Sequence, residues 1–157
     1  MNKECLIVTI LLISVQAFNV PNNASTQHRF KINETSYVIE LNVKANFFSA
    51  IQYCNFNNMQ LVSVDTLEEN SELYTQVSNI VKSSFMFWSS GSLLGSDQST
   101  WIWMSTGKAI NINGWRTGEP NTQELLDLCL SLWSPKDESG WWIARPCTNE
   151  YAIICEQ

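Results

Sequence analysis

Apolar positions change their spacing near residue 85, and the two halves of the chain predict different architecture. In the first half, Ser36 to Val43 (Ser-Tyr-Val-Ile-Glu-Leu-Asn-Val) is β-branched and aromatic enough for a strand. Asn46 then offers an N-cap, and Phe47, Ile51 and Cys54 recur at i, i+4 and i+7, one apolar helix face that also carries a cysteine inward. Leu61 to Val64 is a short strand candidate. Thr66-Leu67-Glu68-Glu69 is a capping box, in which the threonine hydroxyl accepts from the N3 amide and the Glu69 carboxylate reaches back to the cap. Leu73, Val77 and Ile80 behind it predict a second amphipathic helix ending near Ser83. The acidic cluster Glu68, Glu69 and Glu72 reads as the solvated first turn of that helix, where negative charge suits the dipole, rather than as a metal site.

From Phe85 to Cys155 the helical period disappears. Phe85-Met86-Phe87-Trp88, Trp101 to Met104, Leu128 to Trp133, Trp141-Trp142-Ile143 and Ala152 to Cys155 are strand-like islands between turn-rich loops. Trp88, Trp101, Trp103, Trp115, Trp133, Trp141 and Trp142 all fall in this half, and most are expected in the core, each with a partner for its indole N–H. A strand, two helices and then many short strands is an α+β pattern.

The ends of the chain place it in a compartment. Leu6 to Val15 is an apolar run too short for a membrane span, it follows a short start containing Lys3, and Val15-Gln16-Ala17 sets small or β-branched residues before a cut. Residues 1–17 are therefore expected to be a signal peptide and the product to be secreted, with no membrane insertion. Phe18 to Ile32 is polar, with Pro21 and several Asn, so residues 18–35 read as an N-terminal tail and residues 36–157 as the domain. Cleavage removes Cys5 and leaves Cys54, Cys129, Cys147 and Cys155, an even set in an oxidising compartment. Their spacing allows three connectivities. Zinc fits poorly, because there is no Cys-x-x-Cys and the only histidine is His28. Asn23-Ala24-Ser25 and Asn33-Glu34-Thr35 are sequons, which makes Asn23 and Asn33 candidate glycosylation sites. The formal net charge of −6, without a cluster of Lys or Arg, argues against nucleic acid as a partner.

The most informative stretch is Trp115-Arg116-Thr117-Gly118-Glu119-Pro120-Asn121, followed by Asp127 and Cys129. The two early helices, Trp115, Glu119-Pro120-Asn121, the Cys129/Cys147/Cys155 series and the ending Ile153-Ile154-Cys155-Glu156 together resemble the C-type lectin domain from about Tyr37 to Glu156. Phe87-Trp88-Ser89-Ser90-Gly91, with Trp103-Met104-Ser105-Thr106-Gly107 after it, looks particularly like the short secreted lectins of insects. The resemblance implies a C-type lectin-like fold: two helices, short antiparallel sheets, a long ligand-binding loop and two disulfides. It also implies the pairs Cys54–Cys155 and Cys129–Cys147.

It further implies a calcium-and-sugar site. Calcium takes 6–8 oxygen ligands. Glu119 and Asn121 could each give it one side-chain oxygen while bonding sugar hydroxyls, with Pro120 between them able to hold a cis peptide. Asp127, two residues before Cys129, occupies the place of a third carboxylate. In the family Glu-Pro-Asn goes with mannose-type sugars, whereas Gln-Pro-Asp goes with galactose. The departure lies in the family's Trp-Asn-Asp, which here is Trp142-Ile143-Ala144. Neither Ile143 nor Ala144 has a side-chain ligand, so only the Ala144 carbonyl could still serve, and any calcium binding should be weak. Leu128, where an accessory site often has an acidic residue, argues against a second ion. Asn149 and Glu150 lie close in sequence to the missing ligands.

Two functions follow. One is a secreted lectin binding mannose-type glycans through a weakened calcium site. The other is a calcium-independent module binding a protein or other non-sugar ligand, for which Ile143 and Ala144 would present an apolar patch. An enzyme is not expected: there is no Gly-x-Ser-x-Gly or His-Glu-x-x-His, and Asp137 and Glu138 are adjacent rather than set across a cleft.

Overall fold

Helix α1 (Phe47–Phe56) starts where its cap requires, with the Asn46 side chain accepting from the Ser49 amide at 2.9 Å. The computed structural model describes residues 27–93, 99–122, 128–137 and 140–157, so the leader segment, Asn23 and Asp127 lie outside the described residues. Helix α2 (Leu67–Ile80) is capped by Thr66, whose hydroxyl accepts from the Glu69 amide at 3.1 Å. The return half of the capping box is displaced by one residue. Glu69 accepts from the Asp65 amide at 2.9 Å and from the Tyr37 hydroxyl at 2.7 Å. Of the acidic cluster only Glu68 and Glu72 are fully exposed, because Tyr37 draws Glu69 towards the core. The helix stops at Ile80, short of Ser83, since the buried Val81 turns extended to reach the core.

The chain enters the fold earlier than its polar composition suggests. Gln27–Ile32, inside the expected tail, is a strand, β1, paired antiparallel with β2 (Thr35–Ala45). Phe30 stacks on Tyr37 at 5.3 Å and Ile32 is buried. The connecting turn uses Asn33 at φ 51°, a conformation asparagine tolerates. Two apolar side chains among Gln, His, Arg and Lys suffice where they face a hairpin partner.

The remaining strands are β3 (Gln60–Leu61), β4 (Phe85–Ser92), β5 (Ile102–Trp103), β6 (Leu128–Asp137), β7 (Gly140–Pro146) and β8 (Tyr151–Glu156). The sheet runs β1-β2-β8-β4-β6-β7, with β3 added to β8 and β5 to β4. One pair departs from the expected antiparallel arrangement: β8 lies antiparallel to β2 but parallel to β4, with Phe87 opposite Ala152 and Trp88 opposite Ile153. The last strand slots between two strands that run in opposite directions, so it can oppose only one of them. Its Ala152-Ile153-Ile154-Cys155 run is buried throughout, as a central strand covered on both faces requires.

Alternation along β8 divides the core. Ile154 packs with Leu73 and Val77 of α2, Phe87, Leu130, Trp141 and Trp142. Ile153 packs with Phe47 and Ala50 of α1, Trp88 and the cysteines. Cys54 pairs with Cys155, closing a separation of 101 residues, and Cys129 with Cys147 across 18. In the chain-entropy model, closing about a hundred residues is worth roughly 4–5 kcal/mol. Trp88, Trp103, Trp141 and Trp142 are buried, and Trp101, Trp115 and Trp133 are partly exposed. Among the described residues, no helix is long and apolar enough to cross a membrane.

Candidate functional site

Strand β7 is the edge of the sheet, so every second residue has an amide and a carbonyl with no strand to meet them. The loop before β6 supplies the partners. Trp142 donates its amide to the Gly114 carbonyl at 3.0 Å, and its carbonyl accepts from the Arg116 amide at 3.0 Å. The Trp115–Trp142 pair is a single parallel bridge, and the two rings meet edge to face at 5.7 Å. Gly114 is required by this approach, because a Cβ there would stand 2.4 Å from the Trp142 ring. Two side-chain bonds hold the ring itself, since the Trp141 and Trp142 indoles both donate to the Asn70 carbonyl oxygen on α2, at 2.8 and 2.7 Å.

From this anchorage the chain turns through Gly118, at φ 84°, and the Glu119 amide bonds the Arg116 carbonyl at 2.9 Å. The Glu119–Pro120 peptide is cis. The Glu119 carboxylate then continues the edge pairing. One oxygen accepts from the Ala144 amide at 3.1 Å and from the Asn121 amide at 3.0 Å. The other accepts from Arg145 Nη1 at 3.2 Å. The same Nη1 donates to the Ala144 carbonyl at 2.7 Å. The Glu119 side chain is 13% exposed and that of Arg145 35%, so the carboxylate is shielded from water while the guanidinium stays partly exposed.

Glu119 and Asn121 are thus adjacent, on one loop, beside the Ala144 backbone. Asn121 is exposed. Asp127 lies outside the described residues, so the third expected carboxylate has no position here. Asn149 donates instead to the Tyr151 hydroxyl at 2.8 Å, and Glu150 is exposed on the turn into β8. Ile143 and Ala144, expected as an apolar surface patch, are each only 2% exposed. On β7 their side chains fill the packed sheet, and the apolar patch does not form.

The described residues do not fit a calcium ion at this loop. The two side chains that would complete its shell are aliphatic and buried, and a guanidinium occupies both a Glu119 oxygen and the Ala144 carbonyl. No group of three or more His, Cys, Asp or Glu among the described residues could hold a metal. The residue that sequence reasoning missed is Arg145. Its signal was a fixed positive charge directly after the position where a family carboxylate is lost. Asn70 was missed as well, because nothing local marks a helical asparagine as the acceptor for two distant indoles.

A family model for the Lectin C-type domain matches residues 43–157. The chain is 25% identical to lectin subunit alpha of Sarcophaga peregrina over 99% of its length, and spans about half of that relative, 54%. It is 28% identical to a C-type lectin mannose-binding isoform of Oxyuranus scutellatus, covering 99% of this chain and 98% of the relative. The solved complex of SPL-1 with GlcNAc superposes with a TM-score of 0.68 at 22% identity, over 87% of this chain and 96% of that one. With the expected disulfide pairs, the two capped helices and the docked Glu-Pro-Asn loop all in place, the chain belongs to the C-type lectin domain family.

Proposed function

We propose that the protein is a secreted lectin that binds mannose-type glycans on the surface formed by the Trp115–Asn121 loop, with Glu119 and Asn121 as the sugar-binding residues. The observation that carries this reading is the anchorage of Glu119. Its carboxylate is tied to the Ala144 amide and to Arg145, which holds the Glu-Pro-Asn loop against β7 with Asn121 exposed next to it. A prearranged polar loop of this kind meets sugar hydroxyls without first having to order itself. The mannose-binding name of the Oxyuranus relative supports the choice of sugar. Calcium contributes weakly if at all on this reading, because both Glu119 oxygens and the Ala144 carbonyl already have partners. The burial of Ile143 and Ala144 removes the apolar patch that favoured the alternative, a calcium-independent module binding a protein or other non-sugar ligand.

Secretion rests on the leader layout of residues 1–17 and on the two disulfides, which belong to an oxidising compartment. Asn33 is exposed at the β1–β2 turn, where an attached glycan would meet no packing obstacle. The test is a glycan array probed with the secreted protein in millimolar calcium and again in chelator. Signal on mannose or fucose that exceeds galactose in either condition supports the reading. An array with no glycan signal in both conditions would direct the search to a non-sugar ligand.

A further inference from the structure

We propose that the Arg145 guanidinium is a tethered cation that does the work of a metal ion at this loop, holding Glu119 in its binding position and leaving the site independent of calcium. The argument begins with what each cation needs. Calcium needs six to eight oxygens and tolerates no fixed positive charge among them. A guanidinium is always charged and needs only acceptors placed around its planar fork. Arg145 Nη1 finds two of them, Glu119 at 3.2 Å and the Ala144 carbonyl at 2.7 Å. Those are the carboxylate and the backbone oxygen that a calcium ion at this motif would have to claim. An incoming ion would have to expel the guanidinium from a pocket where Glu119 is 13% exposed, and would gain no ligand from Ile143 or Ala144 in return.

A guanidinium brings one positive charge where calcium brings two, and it does so at a site where Ala144 replaces a family carboxylate. The loop's carboxylate keeps a cationic partner, and that partner arrives with the chain rather than from solution. Arg145 also keeps its Nε and Nη2 N–H groups, which have no partner among the described residues, and the side chain is 35% exposed. A metal ion binds a sugar hydroxyl through the oxygen's lone pairs, and a guanidinium N–H engages the same lone pairs as a hydrogen-bond donor. Arg145 is therefore a positioning residue for Glu119 and also a donor towards the hydroxyls of a bound ligand. The second role rests on the reading of this loop as the glycan surface, whereas the first does not.

The test compares thermal unfolding of the secreted protein, Arg145→Met and Arg145→Lys, each in 5 mM calcium (about that concentration suffices for a weak extracellular site) and in EDTA. Expected is a wild-type Tm that calcium and EDTA leave unchanged within about 1 °C, and an Arg145→Met Tm lower by about 3–6 °C. Arg145→Lys should recover at least half of that loss, because it restores the charge without the fork. A wild-type Tm that rises by several degrees in calcium overturns the proposal, since the metal would then displace the guanidinium. So does an Arg145→Met protein as stable as wild type, or an Arg145→Lys protein no better than Arg145→Met. The glycan array separates this proposal from the function on which its second part rests. A mannose signal abolished by EDTA keeps the lectin reading and removes the tethered cation. An empty array with the expected Tm pattern does the reverse.

Discussion

Two partly buried carboxylates, Glu119 and Glu156, sit in regions that differ in one respect, and that difference explains much of this domain's chemistry. Glu119 accepts from the Ala144 and Asn121 amides and has the Arg145 guanidinium against it. Glu156 accepts from the Ser63 amide at 2.9 Å and the Ser63 hydroxyl at 2.7 Å, and so is hydrogen-bonded too. Its charged neighbours, however, are Glu69 and Asp65, which line the same groove of about 440 Å³. One carboxylate carries its own countercharge and the other faces like charges. Hydrogen bonds alone do not decide whether a partly buried anion is stable; desolvation works against it first, and the sign of the neighbouring charges then adds to that cost or offsets it.

Asn70 joins the two regions. It lies on α2 next to Glu69, and its carbonyl oxygen holds the indoles of Trp141 and Trp142, on which the Glu119 loop is docked. Asn70→Leu removes the acceptor for two indole N–H groups at once, in rings that are 1% and 0% exposed. Each orphaned donor costs about 1–3 kcal/mol, so the expected loss is about 2–6 kcal/mol in urea unfolding. The loss should be independent of pH between 5 and 8. A loss below about 1 kcal/mol would mean that the Trp142 ring is held by packing alone and that the two regions are uncoupled.

The countercharge side of the comparison is tested by Glu119→Ala. The substitution strips the Ala144 and Asn121 amides of their acceptor and leaves Arg145 bonded only to the Ala144 carbonyl. The buried Ala144 amide keeps no acceptor, but the guanidinium and Asn121 are near enough to the surface for water to replace part of what is lost, so the expected destabilisation is about 1–3 kcal/mol. Adding calcium should not restore it. Glu119→Gln, which keeps an acceptor but not the charge, should fall between the two. A Glu119→Ala protein with wild-type stability would show that the loop docks through Gly114 and Trp142 without the ion pair.

What could be read in the sequence divides along the same line. The capped helices, the strand islands and the Glu-Pro-Asn loop were legible because each is encoded by neighbouring residues: Asn46 by Ser49, Thr66 by Glu69, Glu119 by Pro120. The disulfide pairing was not legible from spacing and came from family resemblance, and the structure bears it out. Strand β1 was read as a tail because its two core residues, Phe30 and Ile32, are outnumbered by polar ones. The Arg145–Glu119 pair spans 26 residues and the Asn70–Trp142 bond spans 72, and no local pattern announces either. Ile143 and Ala144 stand in the sequence where the family pattern has two side-chain ligands. Reading them as a surface patch failed because these consecutive strand residues point to opposite faces of β7 and both faces are covered, which a loop motif does not announce.

The smallest effect expected is at Glu156, where burial and like charges act in the same direction. Burial pushes the Glu156 carboxyl up to about 7; the Ser63 amide and hydroxyl pull it back, and Glu69 and Asp65 push it up again. In the unfolded chain it titrates near the ordinary 4.5. Between those two values the unfolded chain has released the proton while the folded one still holds it, so the folded state is progressively disfavoured as pH rises. Glu156's contribution to stability is therefore intact below pH 4.5, declines through the window from about 4.5 to 7, and is level above it. Glu156→Gln keeps an oxygen for Ser63 and removes the charge. It should unfold like wild type at pH 4 and be more stable by about 1–2 kcal/mol at pH 8, after allowance for partial exposure. The measurement is urea unfolding of both proteins across that range. If the substituted protein is instead less stable at pH 8, the ionised Glu156 is a net stabilising partner of Ser63, and the contrast with Glu119 is one of degree rather than of sign.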